Sequence, residues 1–138
     1  MSHKTTVTWK QDMAFDVDLQ GHTIPIDADP QFGGKDYGPT PKPLVLSALG
    51  GCTGMDVVAL MKKMRVKWDS FKLDIEGDLT EDHPKHYNKI RVVYTFTGNE
   101  LDKDKIEKAV KMSQEKYCGV AEILKKAADI EYEIRLNP

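Results

Sequence analysis

Cysteine is scarce in this 138-residue chain, which has two, Cys52 and Cys118. Two thiols so far apart neither staple a small secreted scaffold nor form the compact CxxC unit of thiol–disulfide exchange proteins. A basic surplus is missing as well. Lysine and arginine number 20 against 22 acidic residues, a formal net charge of -2, which argues against a dedicated nucleic-acid surface. The lysines between Lys103 and Lys126 alternate with acids and read as an exposed helical face, not a phosphate-binding stripe. The polar opening Met1–Lys10 lacks the apolar segment of a signal peptide. The most apolar stretch, Pro43–Val58, is interrupted by Gly50, Gly51, Gly54 and Asp56 and falls short of a clean span of about 20 apolar residues. The resulting expectation is a cytoplasmic protein with neither nucleic acid nor membrane as partner. No repeat, low-complexity tract or linker divides the chain, so residues 1–138 read as one domain.

What is present is an ordinary soluble balance, 40% hydrophobic and 30% charged, sufficient to bury a core. Alternation at Thr5-Val7-Trp9, again at Phe15-Val17-Leu19, and the short run Ile24–Ile26 predict a three-stranded antiparallel meander, with a turn at Gly21-His22. Asp29–Pro41 collects Pro30, Gly33, Gly34, Gly38, Pro39 and Pro41 and predicts a structured loop. Leu44–Met64 then reads as a helix, with Thr40 able to cap it and Lys62, Lys63 and Arg65 favourable to its C-terminal dipole. Its first half is apolar almost all round, which predicts a helix enclosed by other elements. A hairpin follows, Trp68–Glu76 and Ile90–Phe96. Two helices, Lys103–Gln114 and Val120–Ala128, and a closing strand Ile130–Leu136 complete the chain. Segregated in this order, the elements make an α+β domain.

The densest chemical signal is Leu46-Ser47-Ala48-Leu49-Gly50-Gly51-Cys52-Thr53-Gly54-Met55-Asp56. Two adjacent glycines inside a helix cost about 1 kcal/mol each relative to alanine. That cost suggests a gain elsewhere: close approach of another element, or room beside the thiol. A helix loosened at the glycine pair would also put Cys52 near a new helix N-terminus and lower its pKa. The opposing reading is a small buried side chain in a tight core helix. Cys118, in Tyr117-Cys118-Gly119-Val120, sits at a hinge between helices, and a buried linker cysteine is the competing reading. Asp56, one turn beyond Cys52 and on the same face, would by itself raise a neighbouring thiol's pKa, so it is not assigned as activator. Met55, Met61 and Met64 are read as core filling. His83-Pro84-Lys85-His86 lacks a third ligand at recognisable spacing and is read as a solvated hairpin loop.

The run Gly38-Pro39-x-Pro41-x-x-Leu44-x-Leu46-x-Ala48-Leu49-Gly50-Gly51-Cys52-Thr53-Gly54-Met55-Asp56-Val57 resembles the first-cysteine helix of OsmC/Ohr-like proteins. Ala109-Val110-x-x-Ser113-x-Glu115-Lys116-Tyr117-Cys118-Gly119-Val120 is similar to their second-cysteine region. Asp82-His83-Pro84-x-x-Tyr87-x-x-Ile90-x-Val92-x-Tyr94-x-Phe96 looks like the hairpin of one branch. The resemblance covers essentially the whole chain. It implies antiparallel sheets around a long buried central helix, in an intertwined homodimer with its active sites at the subunit interface. It further implies a hydroperoxide reductase in oxidative-stress defence. In that reading Cys52 attacks the peroxide as thiolate, Cys118 resolves the sulfenic acid to a disulfide, and an external dithiol, lipoyl-linked in well-studied relatives, restores both thiols. No metal or cofactor is expected.

One departure stands out. The family's better-known peroxidases pair the first cysteine with an N-terminal arginine, oriented by a glutamate at the start of the buried helix. This chain has no arginine before Arg65 and carries Lys42-Pro43 at the helix start. Lys35 and Lys42 are the candidate thiolate-activating or substrate-binding replacements, as point charges without the bidentate fork of arginine. The same gap leaves open a non-catalytic dimer that binds a small apolar ligand in the interface pocket.

Overall fold

The computed structural model describes residues 1–138, and its contacts divide them into two units, Met1–Val45 and Leu46–Pro138. In the first, β1 (Thr6–Gln11), β2 (Ala14–Leu19) and β3 (His22–Ile26) form the antiparallel meander that the alternation predicts. Val7 stands opposite Val17, and Val17 opposite Ile24. The β2–β3 turn is tight because Gln20 and Gly21 both adopt positive φ, 52° and 80°, the backbone twist that suits a two-residue hairpin. β1 is exposed along its whole length, Val7 and Trp9 included.

The proline- and glycine-rich loop after β3 is ordered by one carboxylate. Asp27, only 4% exposed, accepts from the backbone N–H of Ala28, Lys35 and Tyr37 at 2.7, 3.0 and 3.1 Å. Gly34 is obligatory inside this wrap, since a Cβ there would lie 1.7 Å from the Ala28 carbonyl oxygen. The N–H donors of Lys35, Ala28 and Tyr37 hold the Asp27 carboxyl below its ordinary 3.8. Its contribution to loop order is therefore fully present above about pH 3.8 and is lost as pH falls through the lower folded value. Protection of the Lys35 and Tyr37 amides against hydrogen exchange, corrected for intrinsic rate, is expected to hold down to that pH and then collapse. In Asp27→Asn the protection is expected to fall at neutral pH already; equal protection in both proteins would refute the role of the carboxylate.

In the second unit β5 (Tyr87–Thr97) is the central strand, antiparallel to β4 (Ser70–Leu79) and parallel to β6 (Asp129–Leu136). The resemblance implies antiparallel sheets; three of the four strand pairings are antiparallel, and the β5–β6 pairing is parallel. Two helices, α2 (Lys103–Met112) and α3 (Gly119–Leu124), lie between β5 and β6 and return the chain to its starting end, which a parallel neighbour requires. Alternation on β5 turns Ile90, Val92, Tyr94 and Phe96 inward, each at most 1% exposed. Leu49, Val57 and Met61 of the long helix α1 (Pro41–Lys63) and Ile106, Ala109 and Val110 of α2 join them in one core.

α1 ends in a Schellman arrangement: Val66 N–H reaches the Met61 carbonyl, Arg65 N–H reaches that of Lys62, and Arg65 takes a left-handed φ of 59°. By length and composition α1 is also apolar enough to cross a membrane. It is less enclosed than its composition predicts. Leu49, Thr53, Val57 and Met61 are buried, yet Val45, Ala48, Gly51, Met55 and Ala59 stay exposed. Met55, expected as core filling, is 75% exposed, whereas Met61 is fully buried. A straight helix laid on one sheet buries only the face turned toward it, and the apolar character of the other face is left in solvent.

The third helix is shorter than the expected Val120–Ala128, stopping at Leu124, and Ala127 and Ala128 form turn bonds back to the Leu124 carbonyl. His83 and His86 lie in the exposed β4–β5 loop, where the His86 ring Nδ1 bonds the Pro84 carbonyl at 2.7 Å.

A two-thiol site beside a carboxylate

Cys52 reaches its position on an uninterrupted helix. α1 does not loosen at Gly50-Gly51, so no new helix N-terminus forms beside the thiol, and that expected source of activation is absent. The glycines serve close packing instead. A Cβ on Gly50 would come within 2.6 Å of Ile75 Cδ1, and one on Gly54 within 3.1 Å of Leu73 Cδ1, so β4 side chains press onto the helix backbone. Gly51 faces open space, with nothing within 4 Å of a Cβ. Cys52 is half-buried beside it.

Cys118 arrives from a separate segment, the junction between α2 and α3. α2 widens at its C-terminus into a π-helical turn, Ser113–Tyr117, that closes where Cys118 N–H donates to the Ser113 carbonyl at 2.8 Å. Such one-turn π segments recur at functional sites because the extra residue re-aims the side chains that follow. Cys118 is buried and caps α3, its Sγ accepting from Ala121 N–H at 3.4 Å.

The two sulfurs and a carboxylate oxygen of Asp56 lie within 4.8 Å of one another. Both cysteines are free thiols. Burial pushes the Cys118 thiol up to about 11, and the neighbouring Cys52 and Asp56 act in the same direction. Cys52 and Cys118, far apart in sequence, are thus brought together. Of the two lysines, Lys35 pairs with Asp12 at 3.2 Å, and Lys42 stands in the exposed first turn of α1.

A polar network that the sequence did not reveal supports Asp56. Ser113 Oγ donates to Asp56 Oδ2 at 3.0 Å, which uses its single proton. Its 2.7 Å contact with Thr53 Oγ1 must then run from threonine to serine, and the 2.7 Å contact of Thr53 with Tyr94 from the phenol to the threonine. Gln114 Nε2 closes the series by donating to the Tyr94 oxygen at 2.6 Å. The result is a one-directional chain, Gln114 to Tyr94 to Thr53 to Ser113 to Asp56, buried almost throughout and ending on a carboxylate. Burial keeps the Tyr94 hydroxyl above its ordinary 10, so it remains a donor at neutral pH. The available sequence signal was positional: Thr53 adjoins Cys52, and Ser113 lies a π turn before Cys118.

Residues 33–133 match the family described as OsmC-like protein. Protein YhfA of Escherichia coli strain K12 is 32% identical over 131 residues, 93% of this chain and 95% of the relative. A hypothetical protein from Aquifex aeolicus VF5 superposes with a TM-score of 0.84 at 26% identity, covering 100% of this chain and 99% of that one. An organic hydroperoxide resistance protein OsmC from Legionella pneumophila shares the fold, with a TM-score of 0.71 at 14% identity over 96% of this chain and 97% of its own.

Proposed function

This chain belongs to the OsmC-like family, and from that premise we propose that it reduces hydroperoxides through Cys52 and Cys118. The family includes hydroperoxide-resistance proteins. The observation that carries the reading is the placement of two free thiols within 4.8 Å of each other. A disulfide of about 2.05 Å forms from there once the sulfurs approach by side-chain rotation.

The roles follow from access. Cys52, half-buried beside the open Gly51, meets the peroxide; Cys118, buried and capping α3, meets only Cys52. The Cys52 thiolate attacks one peroxide oxygen, the O–O bond breaks, and the departing alkoxide takes up a proton as alcohol. The Cys118 sulfur then attacks the resulting sulfenic acid, and water leaves as the disulfide closes. An external dithiol returns both thiols by exchange.

A homodimer belongs to the same reading, because a second copy would cover the apolar α1 face that carries Val45, Ala48, Met55 and Ala59. Thiolate activation is then assigned to Lys35 or Lys42 acting at that interface, and the compartment to the cytoplasm, where thiols stay reduced.

One organic hydroperoxide per chain is expected to consume both thiols, with peptide mapping locating a Cys52–Cys118 bond within a chain. Thiols that survive excess peroxide would defeat the reading. The alternative, a non-catalytic dimer that holds a small apolar ligand, is favoured by a different observation. An open cavity of about 520 Å³ lies against α1 and β4, lined by Gly51, Met55, Val58, Phe71 and Leu73. Apolar ligand bound there while Cys52 resists peroxide is the result that alternative expects.

A further inference from the structure

We propose that in the reduced chain Cys52, Asp56 and Cys118 form a binding site for a soft divalent cation, zinc being the ion that fits. Two thiolates with one carboxylate are a donor set that selects zinc over the hard oxygen-seeking cations. Three protein ligands leave a fourth tetrahedral position for water or an incoming group.

The geometry is close to what the ion requires. Zinc–sulfur bonds of about 2.3 Å and zinc–oxygen bonds of about 2.0–2.2 Å put tetrahedral ligand atoms roughly 3.5–3.8 Å apart. The three donor atoms already lie within 4.8 Å of one another, so side-chain rotation of about 1 Å closes the set. Cys52 and Asp56 are one turn apart on a continuous helix and share a face, and Cys118 is fixed by its bonds to Ser113 and Ala121.

A second, independent observation is the hydrogen-bond chain behind the carboxylate. Metal-binding carboxylates are oriented by outer partners, and Asp56 Oδ2 receives the Ser113 hydroxyl at the end of four aligned donors. No lysine, arginine or histidine forms an ion pair with Asp56. No cationic side chain therefore competes with a metal ion for the carboxylate. Access runs past Gly51, where an added Cβ would meet nothing within 4 Å.

Binding needs no redox partner. The ion displaces one proton from each thiol, two protons pass to the buffer, and the carboxylate joins unchanged. Zinc loading and disulfide formation exclude one another, because both use the same sulfurs.

The test is an anaerobic titration of the reduced, full-length protein with zinc against a colorimetric chelator, with two further readouts: proton release, and thiolate-to-metal absorption of the cobalt form. Saturation at one ion per chain is expected, with two protons released. Cys52→Ser and Cys118→Ser are each expected to abolish saturable binding, and Ser113→Ala to weaken it about tenfold through the outer partner. His83→Ala with His86→Ala is expected to leave affinity unchanged. Absence of saturable binding by the parent chain overturns the site, as does equal affinity in the cysteine variants. No peroxide enters the titration, so its outcome stands apart from the peroxide experiment.

Discussion

Cys52→Ser is expected to bring the consumption of organic hydroperoxide down to the uncatalysed rate of buffer. Peroxide cleavage needs a sulfur nucleophile with a lone pair aimed at the O–O bond, and a serine hydroxyl at neutral pH does not supply one. The remaining thiol does not substitute. Cys118 is 4% exposed, is engaged by Ala121 N–H, and is pushed up to about 11, so its thiolate is scarce at neutral pH. Cys118→Ser separates the two steps: the first peroxide is still cleaved, a sulfenic acid accumulates on Cys52, and turnover stops for want of a resolving thiol. A dimedone-type trap read by mass spectrometry distinguishes the variants. Unchanged consumption in Cys52→Ser would remove the enzyme and leave the architecture intact.

Phe96→Ala is expected to show the largest loss of stability. Phe96 is fully buried on the central strand, opposite Phe71 on β4 and Leu136 on β6, and its ring stacks on Phe71 at 4.4 Å with planes 3° apart. Truncating a buried phenylalanine costs about 3–5 kcal/mol through lost transfer energy and the cavity left behind. Against a total stability of roughly 5–15 kcal/mol that is a large share, and for a chain of this length it lowers Tm by roughly 10 °C. Phe32→Ala is the matched control, because Phe32 is 68% exposed and its truncation is expected to change stability by less than about 0.5 kcal/mol. Urea unfolding of the two variants decides the matter; a Phe96→Ala loss below about 1 kcal/mol would mean that the strand repacks around the missing ring.

Element type and order could be read from periodicity alone. The two-residue alternation of β5 and β6 and the mixed apolar run of α1 are local patterns, and burial enforces them directly. The OsmC-like family was legible for a related reason: the segments around Cys52 and Cys118 are contiguous, so a motif holds them whole. Turn chemistry at Asp27–Gly38 was visible as composition, although not the carboxylate that organises it.

Other features depend on residues that meet only after folding. The parallel pairing of β6 follows from the path of α2 and α3, which no strand pattern encodes. The exposed α1 face was hidden because composition reports how apolar a helix is and not how many sides find a partner. The glycine pair could be noticed but not interpreted until Ile75 and Leu73 were seen pressing on the helix. At the site, the sequence supplied the two thiols, and the tertiary structure decided their company: each other, and a carboxylate held by Ser113, Thr53, Tyr94 and Gln114. Side-chain identity and local spacing are properties of a string, whereas the electrostatics of a buried thiol depend on distances between segments that only a packed core fixes.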